Sequence, residues 1–441
     1  MKKNDVLALA NDQLIPAFEK ERQNLDKIDR WLRWNPEQPK LPRGTDREVK
    51  ALQKLANTPW LNLVVTTVAQ MLYCERIYSG DRSAEDLKAM WKPWQRNNML
   101  VKQIAIHRAA LGYGLAYTGV LPGVGGARIS GISPRDGLAV YADPAEDEFP
   151  MYFIRVTAQP NGRMIRIYDE EQEYFLSVDK GKLEYLEPRP HGAGVTPFVR
   201  YANQLDLEGR APGDVEALIP NAARINKTDY DRLLVQHFNS WKIRTATGLE
   251  DPSDEAEAER IKMILRQQDI LTGGEGVLFG TLDETSLDPF IHAHDSDVET
   301  LAATSQTPTT AFGKLINVSA DGLVEARASL YAKRDERQMS FGASHVATLR
   351  LAAHIEGRRE DAEDFSVHAG WANTESSTMS QAVDALGKAA QMLGVPPRVL
   401  WDKIPGIDWE TAESWKTYAD ENPSADDKLA EALARQSQPP E

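Results

Sequence analysis

The sequence predicts a helix-rich α+β protein with one small antiparallel β region. Apolar residues recur at helical spacing through the first hundred or so positions, and a spacing of two replaces it between Gly114 and Tyr201. Helical spacing then returns and includes an uninterrupted helix from Asp321 to about Ile355, which would span roughly 50 Å. Because globular helices average ~11 residues, a helix of this length suggests a component of a large assembly.

Composition narrows the class of protein. A chain of 441 residues is long enough for two or three domains, and 41% hydrophobic with 27% charged residues is typical of a soluble protein. No run approaches the ~20 apolar residues of a membrane span, so no membrane association is expected. The single cysteine, Cys74, is expected to be a buried thiol within an apolar helix, which fits a reducing cytoplasm.

The formal net charge of −15 argues against tight binding of nucleic acid. Such binding comes largely from lysine and arginine side chains that displace counterions from phosphates. The charge does not argue against transient contact with DNA. Strong phosphate contacts would hinder DNA that slides through a ring, so a lining with few cations would suit such a protein.

The first part of the chain is predicted to be a helical shell followed by strands. The predicted helices are Val6 to Trp34, Asp46 to Ala56, Trp60 to Tyr78, Ser83 to Trp94 and Met99 to Leu111. Ser83 is a candidate N-cap, and Pro93 is expected to interrupt its helix. The predicted strands are Leu115 to Leu121, Ala127 to Ser133, Gly137 to Ala142, Met151 to Ala158, Met164 to Asp169 and Tyr174 to Val178.

The second half is predicted to be helical around a small mixed insertion. A helix spans Gly213 to Ser240, with Pro220 as a weak point. The insertion combines an acidic helix with short strand-like runs, namely Lys242 to Thr247, Ser253 to Arg266, Val277 to Phe279 and Phe290 to His292. The remaining predicted elements are a helix Ser296 to Ser305, a strand Phe365 to His368, and helices Ser376 to Leu393 and Trp409 to Ala419.

One stretch between two of these helices is unusually poor in charge. Gln306 to Ala320 carries a single formal charge, Lys314, and opens directly into the long helix. A segment of this composition makes a poor solvated linker, and we interpret it as a loop that presses against something large.

Two glycine-rich segments, Leu121 to Gly131 and Leu271 to Gly280, invite comparison with phosphate-binding loops. The first lacks the lysine followed by serine or threonine of a nucleotide loop, and both lead into strands. We therefore predict turns at these positions and no cofactor.

Candidate catalytic residues are few. His292, His294 and Asp295 would form a metal site if they lay on a strand, because the two histidines would then project to one face. A metal-dependent hydrolase is therefore an alternative function, and the edge of a polar strand is the structural alternative. No Gly-x-Ser-x-Gly or HExxH motif is found, and the sequence predicts that the protein is not an enzyme.

An acidic run is a candidate docking surface for a basic partner, although a solvated helix face is the simplest interpretation. Its members are Glu250, Asp251, Asp254, Glu255, Glu257 and Glu259.

Three segments together resemble the portal proteins of tailed bacteriophages, in particular those of the long-tailed siphophages of actinobacteria. Val195 to Asn203 followed by Gly213 to Arg232 is similar to the family's strand that enters the first stem helix. The Asn-x-Thr-x-x-Asp pattern of that helix is matched by Asn226, Thr228 and Asp231. Further similarity lies in Thr307 to Arg327 and in Val367 to Gly394, the latter through Trp371, Ser380, Ala382, Ala385, Lys388 and Gly394.

The resemblance implies the portal fold and its parts. These are a wing (1–213, containing the sheet region 114–201), a first stem helix (213–240), a clip (241–295), a second stem helix (296–305), a tunnel loop (306–320), a long wing helix with its return strand (321–371), a crown (372–420) and a mobile tail (421–441). The second stem helix is short by comparison with the family. The tunnel-loop residues that would meet DNA are Thr307, Thr309, Thr310, Phe312, Lys314 and Asn317.

The resemblance also implies an assembly and its partners. Twelve subunits usually form a ring at one capsid vertex, through which double-stranded DNA is packaged and ejected. The implied partners are the terminase large subunit, head-completion or adaptor proteins and the major capsid protein, with assembly in the host bacterial cytoplasm. Another virion protein, such as a capsid or adaptor protein, is the second alternative.

Overall fold

The computed structural model describes most of the chain. The described residues are 1–38, 40–160, 162–179, 182–239, 244–247, 255, 278–281, 285–313, 320–374, 379–407 and 409–422. The chain divides into two compact units. The first comprises Met1–Asp26, Val65–Asp214 and Leu330–Glu441, and the second comprises Lys27–Val64 and Val215–Ser329.

Helices dominate the described residues. They are α1 (Lys3–Leu9), a π-helical turn (Ala10–Leu14), α2 (Ile15–Leu32), α3 (Arg47–Leu55), α4 (Trp60–Ala69), α5 (Ala84–Arg96), α6 (Met99–Tyr113), α7 (Ile219–Asn239), α8 (Asp288–Ser305), α9 (Ala320–Ile355), α10 (Arg359–Ala362), α11 (Met379–Leu393), α12 (Pro397–Leu400) and α13 (Trp409–Glu421). Short 3₁₀ turns lie at Glu216–Leu218, Thr309–Phe312 and Trp401–Lys403.

The strands form antiparallel sheets. They are β1 (Cys74–Tyr78), β2 (Leu115–Gly123), β3 (Gly126–Ile132), β4 (Gly137–Val140), β5 (Tyr152–Gln159), β6 (Gly162–Tyr168), β7 (Gln172–Asp179), β8 (Lys182–Tyr185), β9 (Arg189–Pro190), β10 (Phe198–Ala202), β11 (Arg244–Thr247), β12 (Leu278–Thr281) and β13 (His368–Trp371). The largest sheet has the order β4-β5-β6-β7-β8, with β9 beside β7. The others are β10-β2-β3, β1-β13 and β11-β12. The predicted helix-rich α+β class is confirmed.

The N-terminal helix packs on the largest sheet through four residues spaced four apart. Val6, Ala10, Leu14 and Phe18 are all buried against β5, β6 and β7. An α-helix would rotate such a series steadily off one face, because it has 3.6 residues per turn. The π-helical turn at Ala10–Leu14 widens the spiral locally, so all four side chains stay on the sheet.

A second core forms around aromatic residues of neighbouring strands. Phe153 and Phe198 stack with ring centroids 3.7 Å apart, and Tyr117 meets the Phe153 ring edge-on at 5.2 Å. Between β2 and β3 the chain reverses at Gly125 and Gly126, whose φ angles are 82° and 127°. The glycine-rich segment 121–131 is therefore a β-hairpin, whose turn at Val124 and Gly125 confirms the predicted turn.

Helix α9 has the predicted length and a strongly buried stretch in the first unit. Arg337 is fully buried, and its Nε donates to Asn203 Oδ1 at 2.5 Å. Lys333 Nζ lies 2.9 Å from Asp214 Oδ2, and both side chains are almost completely buried. Buried charges of this kind require close partners, since an unpaired charge in the interior is strongly destabilising.

The predicted helix from Trp60 to Tyr78 is wrong in its second half. α4 ends at Ala69, and Cys74 begins strand β1, which pairs with β13 from Tyr78↔His368 to Cys74↔Trp371. Pairing with a distant strand overrides the local helical spacing. The thiol is buried as expected, and burial raises the pKa of Cys74 to about 12.

Neither Pro93 nor Pro220 interrupts its helix, although the sequence predicted an interruption at the first and a weak point at the second. α5 continues through Pro93 to Arg96, while its N-cap at Ser83 is confirmed by the Asp86 N–H, which donates to Ser83 Oγ at 3.2 Å. Pro220 lies in the first turn of α7, where a helix does not need the missing N–H. The weak point predicted there is therefore simply the helix start.

Helix α8 corrects two further predictions. Phe290 to His292 is helical and not a strand, and the helix expected to begin at Ser296 begins at Asp288. Pro289 sits in its first turn, which is a favourable place for proline. The helix before the charge-poor stretch is consequently 18 residues long, so it is not short.

Candidate functional site

The charge-poor stretch begins with a defined helix end. Gln306 has a left-handed conformation, with φ 56° and ψ 32°, and its N–H donates to Ala303 O at 3.3 Å. The Thr307 N–H donates to Ala302 O at 3.0 Å. This pair of hydrogen bonds is a Schellman C-cap, a motif in which glycine normally occupies the left-handed position.

A short 3₁₀ turn follows at Thr309–Phe312. The Ala311 N–H donates to Pro308 O at 2.9 Å, and the Gly313 N–H donates to Thr310 O at 3.2 Å. Gly313 has φ 82°, so left-handed residues bracket the turn on both sides. We call residues 306–313 the bracketed turn.

The predicted tunnel-loop residues differ in exposure. Thr307 is 3% exposed, and its Oγ1 donates to Ser305 O at 3.4 Å. Thr309, Thr310 and Phe312 are half-buried in the single chain. Lys314 and Asn317 lie outside the described residues, so their placement stays a prediction.

An aromatic contact holds the bracketed turn to the rest of the second unit. Trp60 lies at the start of α4, and its ring centroid is 5.8 Å from that of Phe312 and 6.0 Å from that of His294. Tilted aromatic pairs of this kind contribute roughly 0.5–1.5 kcal/mol beyond the burial of their area. The Trp60 indole therefore contacts both Phe312 and helix α8.

A buried carboxylate, Asp229, also lies close to His294. His294 Nε2 is 3.8 Å from Asp229 Oδ2, and Arg232 Nη2 is 3.2 Å from Asp229 Oδ1. Burial raises the pKa of Asp229, and the charges of His294 and Arg232 oppose that rise. Asp229, His294, Trp60 and Phe312 thus form a continuous series of contacts from α7 to the bracketed turn, which we call the turn support.

Sequence reasoning missed Asp229. Its signal was present, because Ala222, Ile225 and Asp229 have the spacing of one helix face and all three are buried. An acidic residue at an apolar position of an amphipathic helix predicts a buried charge with partners.

The three residues of the Asn-x-Thr-x-x-Asp pattern lie on α7 and make separate contacts. Asn226 Nδ2 donates to Asn57 Oδ1 at 3.4 Å. Asp231 forms an ion pair with Lys227 one turn earlier, and Thr228 is half-buried. The structure therefore does not gather these side chains at a single point.

Helices α7 and α8 are also joined by an ion pair between Arg224 Nη2 and Asp297 Oδ1, which are 2.8 Å apart. Arg224 is more than half exposed, so this pair contributes about 1 kcal/mol at most.

The residues of the candidate metal site do not converge. In a helix, residues two apart point in nearly opposite directions, so His292 is exposed while His294 faces Trp60 and Asp229. Asp295 Oδ1 is 3.5 Å from His294 Nδ1. The part of the chain that the structure describes contains no group of three or more potential metal ligands. The strand geometry on which the hydrolase alternative depended is therefore wrong.

Only one residue of the acidic run lies within the described residues. Glu255 is described and exposed, whereas Glu250, Asp251, Asp254, Glu257 and Glu259 lie outside the described residues. The same holds for most of the second glycine-rich segment and for the predicted acidic helix around Glu255. No described helix combines the length and the apolar character needed to cross a bilayer.

Comparison with protein families gives the class of the molecule. The family described as "Phage portal protein, SPP1 Gp6-like" matches residues 11–424, which is nearly the whole chain. Its members are structural components of phage virions. The chain belongs to this family, and it is a portal protein of a phage-like particle.

Two similar solved structures come from gene transfer agent particles. A chain in the virion of a native gene transfer agent particle is 11% identical, with a TM-score of 0.46, over 86% of this chain and 99% of that one. A chain in the neck of an empty particle is 10% identical, with a TM-score of 0.47, over 82% and 96%. No curated protein matches the chain. Because both TM-scores are below 0.5, the assignment depends on the family match alone.

Proposed function

We propose that this portal protein closes into a ring of twelve copies, the number that the resemblance implies, and occupies one vertex of the capsid. Double-stranded DNA passes through the central channel during packaging and ejection. The observation that carries the proposal is the family match over residues 11–424. That match includes all of the parts assigned below except the first ten residues and the end of the tail.

The parts of the chain take the following roles in the proposal. Residues 1–213 and 321–371 form the wing, α7 and α8 are the stem helices, and residues from about 241 to the start of α8 form the clip. Residues 306–320 are the tunnel loop, 372–420 the crown and 421–441 a tail. Assigning all of α8 to the stem moves the boundary between clip and stem from about 296 to about 288, because the helix begins there.

The bracketed turn suits a loop that meets moving DNA. Its half-buried side chains, Thr309, Thr310 and Phe312, are uncharged, so they offer hydroxyl and ring contacts without an ion pair to phosphate. Lys314 then supplies one cation per subunit. Each added phosphate contact strengthens binding and steepens its salt dependence, so one cation guides DNA without holding it.

The turn support gives this loop a fixed base. Trp60 contacts Phe312 and His294, and His294 faces the buried Asp229 of α7. Because these contacts connect the loop to both stem helices, a force on the loop is transmitted to the stem and does not simply displace a free segment.

The clip docks partners outside the shell. Its acidic run, from Glu250 to Glu259, would attract basic surfaces of the terminase large subunit and later of head-completion or adaptor proteins. The chain itself performs no chemistry in this proposal, and ATP hydrolysis belongs to the terminase. Assembly with the major capsid protein takes place in the host bacterial cytoplasm.

Electron microscopy of the purified full-length chain tests the proposal. We expect annular particles whose central hole is wide enough for a DNA duplex, and we expect the same ring at one vertex of the particle. Absence of any annular oligomer, both in the purified protein and in particles that contain it, would overturn the proposal. Stoichiometric bound metal in a monomeric protein would instead revive the hydrolase alternative.

A further inference from the structure

Helices α11, α12 and α13 leave an unusual amount of apolar surface uncovered. Among the described residues, 21 large apolar side chains are exposed, and seven of them lie in this short region. They are Met379, Val383, Met392, Leu393, Val399, Trp415 and Tyr418. Ala412 is the only buried residue among the described side chains of the three helices. A helix as short as α11 is marginal alone in water, so this region needs a covering partner.

Five apolar residues of α11, four of them large, follow a heptad pattern. Met379, Val383, Leu386, Ala390 and Leu393 are separated by four, three, four and three positions, which is the spacing of a coiled-coil seam. Val383 is 51% exposed and Leu393 is 77% exposed. We call these five residues the large seam. This spacing is typical of a helix that packs against another helix.

A second seam, in which three of the four residues are alanine, runs beside the first. Ala382, Ala385, Ala389 and Met392 are separated by three, four and three positions, and we call them the small seam. The charged residues lie on the opposite face, where Lys388 Nζ and Asp384 Oδ2 pair at 2.6 Å. Among the described residues, α11 packs mainly against the short helix α12, and every residue of both seams is at least partly exposed.

We propose that α11 packs against α11 of the two neighbouring copies, with the large seam of one copy on the small seam of the next. This inference rests on the proposed ring. Two different seams on one helix call for two helical partners, and a head-to-tail contact between unlike surfaces is the kind that closes into a ring. Large residues facing small ones fill space without strain.

Charge favours the same arrangement. Each copy carries a formal charge of −15, so copies repel one another at long range. Neither seam contains a charged residue, whereas the Asp384–Lys388 pair lies away from both. The two seams therefore offer a neutral surface by which like-charged copies can approach closely.

Cysteine cross-linking tests the contact directly. Cys74 is buried and its pKa is raised to about 12, so it does not compete for the oxidant. In the full chain, V383C/A385C places one thiol on each seam. Oxidation with copper phenanthroline is expected to give a ladder of covalent oligomers up to the full ring, whereas V383C alone and A385C alone stay monomeric on denaturing gels.

The outcomes separate this inference from the ring itself. Rings seen by electron microscopy without a cross-linked ladder would overturn the seam contact and leave the ring standing. Covalent dimers from V383C alone would also overturn it, because they indicate a two-fold contact of like seams. Absence of rings altogether would overturn both proposals.

Charge substitutions give an independent readout. V383D/L393D changes two exposed side chains, so the single chain should keep its thermal midpoint while the fraction of protein in rings falls at least tenfold. The matched control S380D/Q391D adds the same charge to the polar face of α11 and should change that fraction less than twofold. Equal ring formation by both variants would contradict the proposal.

Discussion

His107 Nε2 and His345 Nε2 lie 3.0 Å apart in the core of the first unit, and both side chains are fully buried. His107 Nδ1 is 3.1 Å from Leu72 O, a pure acceptor, so His107 carries its proton on Nδ1 and accepts on Nε2. His345 must then donate from Nε2 and accept on Nδ1, where Tyr201 OH lies at 2.9 Å. The contacts therefore determine both tautomers.

This pair predicts sensitivity to acid. Burial lowers the pKa of His107 to about 4, and burial together with the charge of His107 lowers the pKa of His345 well below its usual value. When the pKa of a histidine is lower in the folded state than in the unfolded state, near 6.5, the unfolded state takes up the proton first as the pH falls. The free energy of unfolding is therefore highest above pH 6.5 and decreases as the pH falls toward the pKa of the folded state. For His107 the loss between pH 7.5 and pH 5 is about 2 kcal/mol.

Urea denaturation at the two pH values measures that loss. The urea concentration at the wild-type midpoint should be lower at pH 5 than at pH 7.5. The difference should be smaller in H107Q, because a glutamine side chain does not titrate. The exposed His292 provides the matched control, and H292Q should leave the difference unchanged. Identical pH dependence in H107Q and wild type would contradict the prediction.

Tyr201→Phe should destabilise the same core. The substitution removes the donor to His345 Nδ1 and leaves that nitrogen buried without a partner, which costs about 1–3 kcal/mol. Tyr78→Phe is the control, since Tyr78 is half exposed. Chemical denaturation should show the loss in Y201F and a change within about 0.5 kcal/mol in Y78F. Equal stability of Y201F and wild type would argue against the assigned direction of these hydrogen bonds.

Gln306→Gly should stabilise the second unit. Gln306 holds a left-handed conformation that glycine adopts without strain, so the gain is about 0.5–1 kcal/mol. Gly313→Ala should be destabilising, because Gly313 also has a positive φ, which alanine adopts only with strain. A Cβ at this position would meet no other atom within 4 Å, so backbone strain alone sets the effect. Thermal melting of the two variants should therefore show shifts of opposite sign. A lower melting temperature for Q306G would contradict the role given to the C-cap.

Asp229→Asn should be tolerated near neutral pH. The raised pKa of Asp229 means that burial opposes its charge more strongly than His294 and Arg232 favour it. The amide removes the charge at almost constant shape, so the free energy of unfolding should change by less than about 1 kcal/mol. Denaturation at pH 7.5 checks this, with D229L as the comparison that also removes the polar contacts. A loss above 2 kcal/mol in D229N would show that the ion pairs prevail.

Lys314→Glu should leave ring assembly intact and reduce DNA packaging or genome retention. The change replaces the one cation of the tunnel loop with an anion that repels phosphate. Lys50→Glu makes the same charge change on the exposed face of α3, outside the proposed loop, and should package normally. Packaged DNA length and titre are the measurements. Normal values for K314E would count against the role of Lys314.

Local spacing predicted much of the fold, because many elements are decided within a few residues. The long helix was expected from Asp321 to Ile355 and spans Ala320–Ile355, and the six period-two runs all contain strands. Strand β1 was missed because its partner β13 lies far away in the chain and no local signal reports the pairing. The helical Phe290 to His292 was predicted as a strand because a run of three residues is too short to distinguish a strand from a helix turn.

The candidate site was predictable only in part. The charge-poor composition of 306–320 indicated a special loop, but composition does not report that Thr307 is buried and donates a hydrogen bond to the end of the preceding helix. Trp60 and Phe312 are about 250 positions apart, and their contact depends on how α4 and the bracketed turn meet in three dimensions. Asp229 could have been found from its place on a buried face.

The pairing of β1 with β13 has a consequence for synthesis. Cys74 pairs with Trp371, so this sheet cannot form until more than four-fifths of the polypeptide has left the ribosome. Residues that must find partners this far along the chain fold late. A nascent chain released early therefore lacks a finished first unit, and truncated translation products would be poorly suited to enter a growing particle.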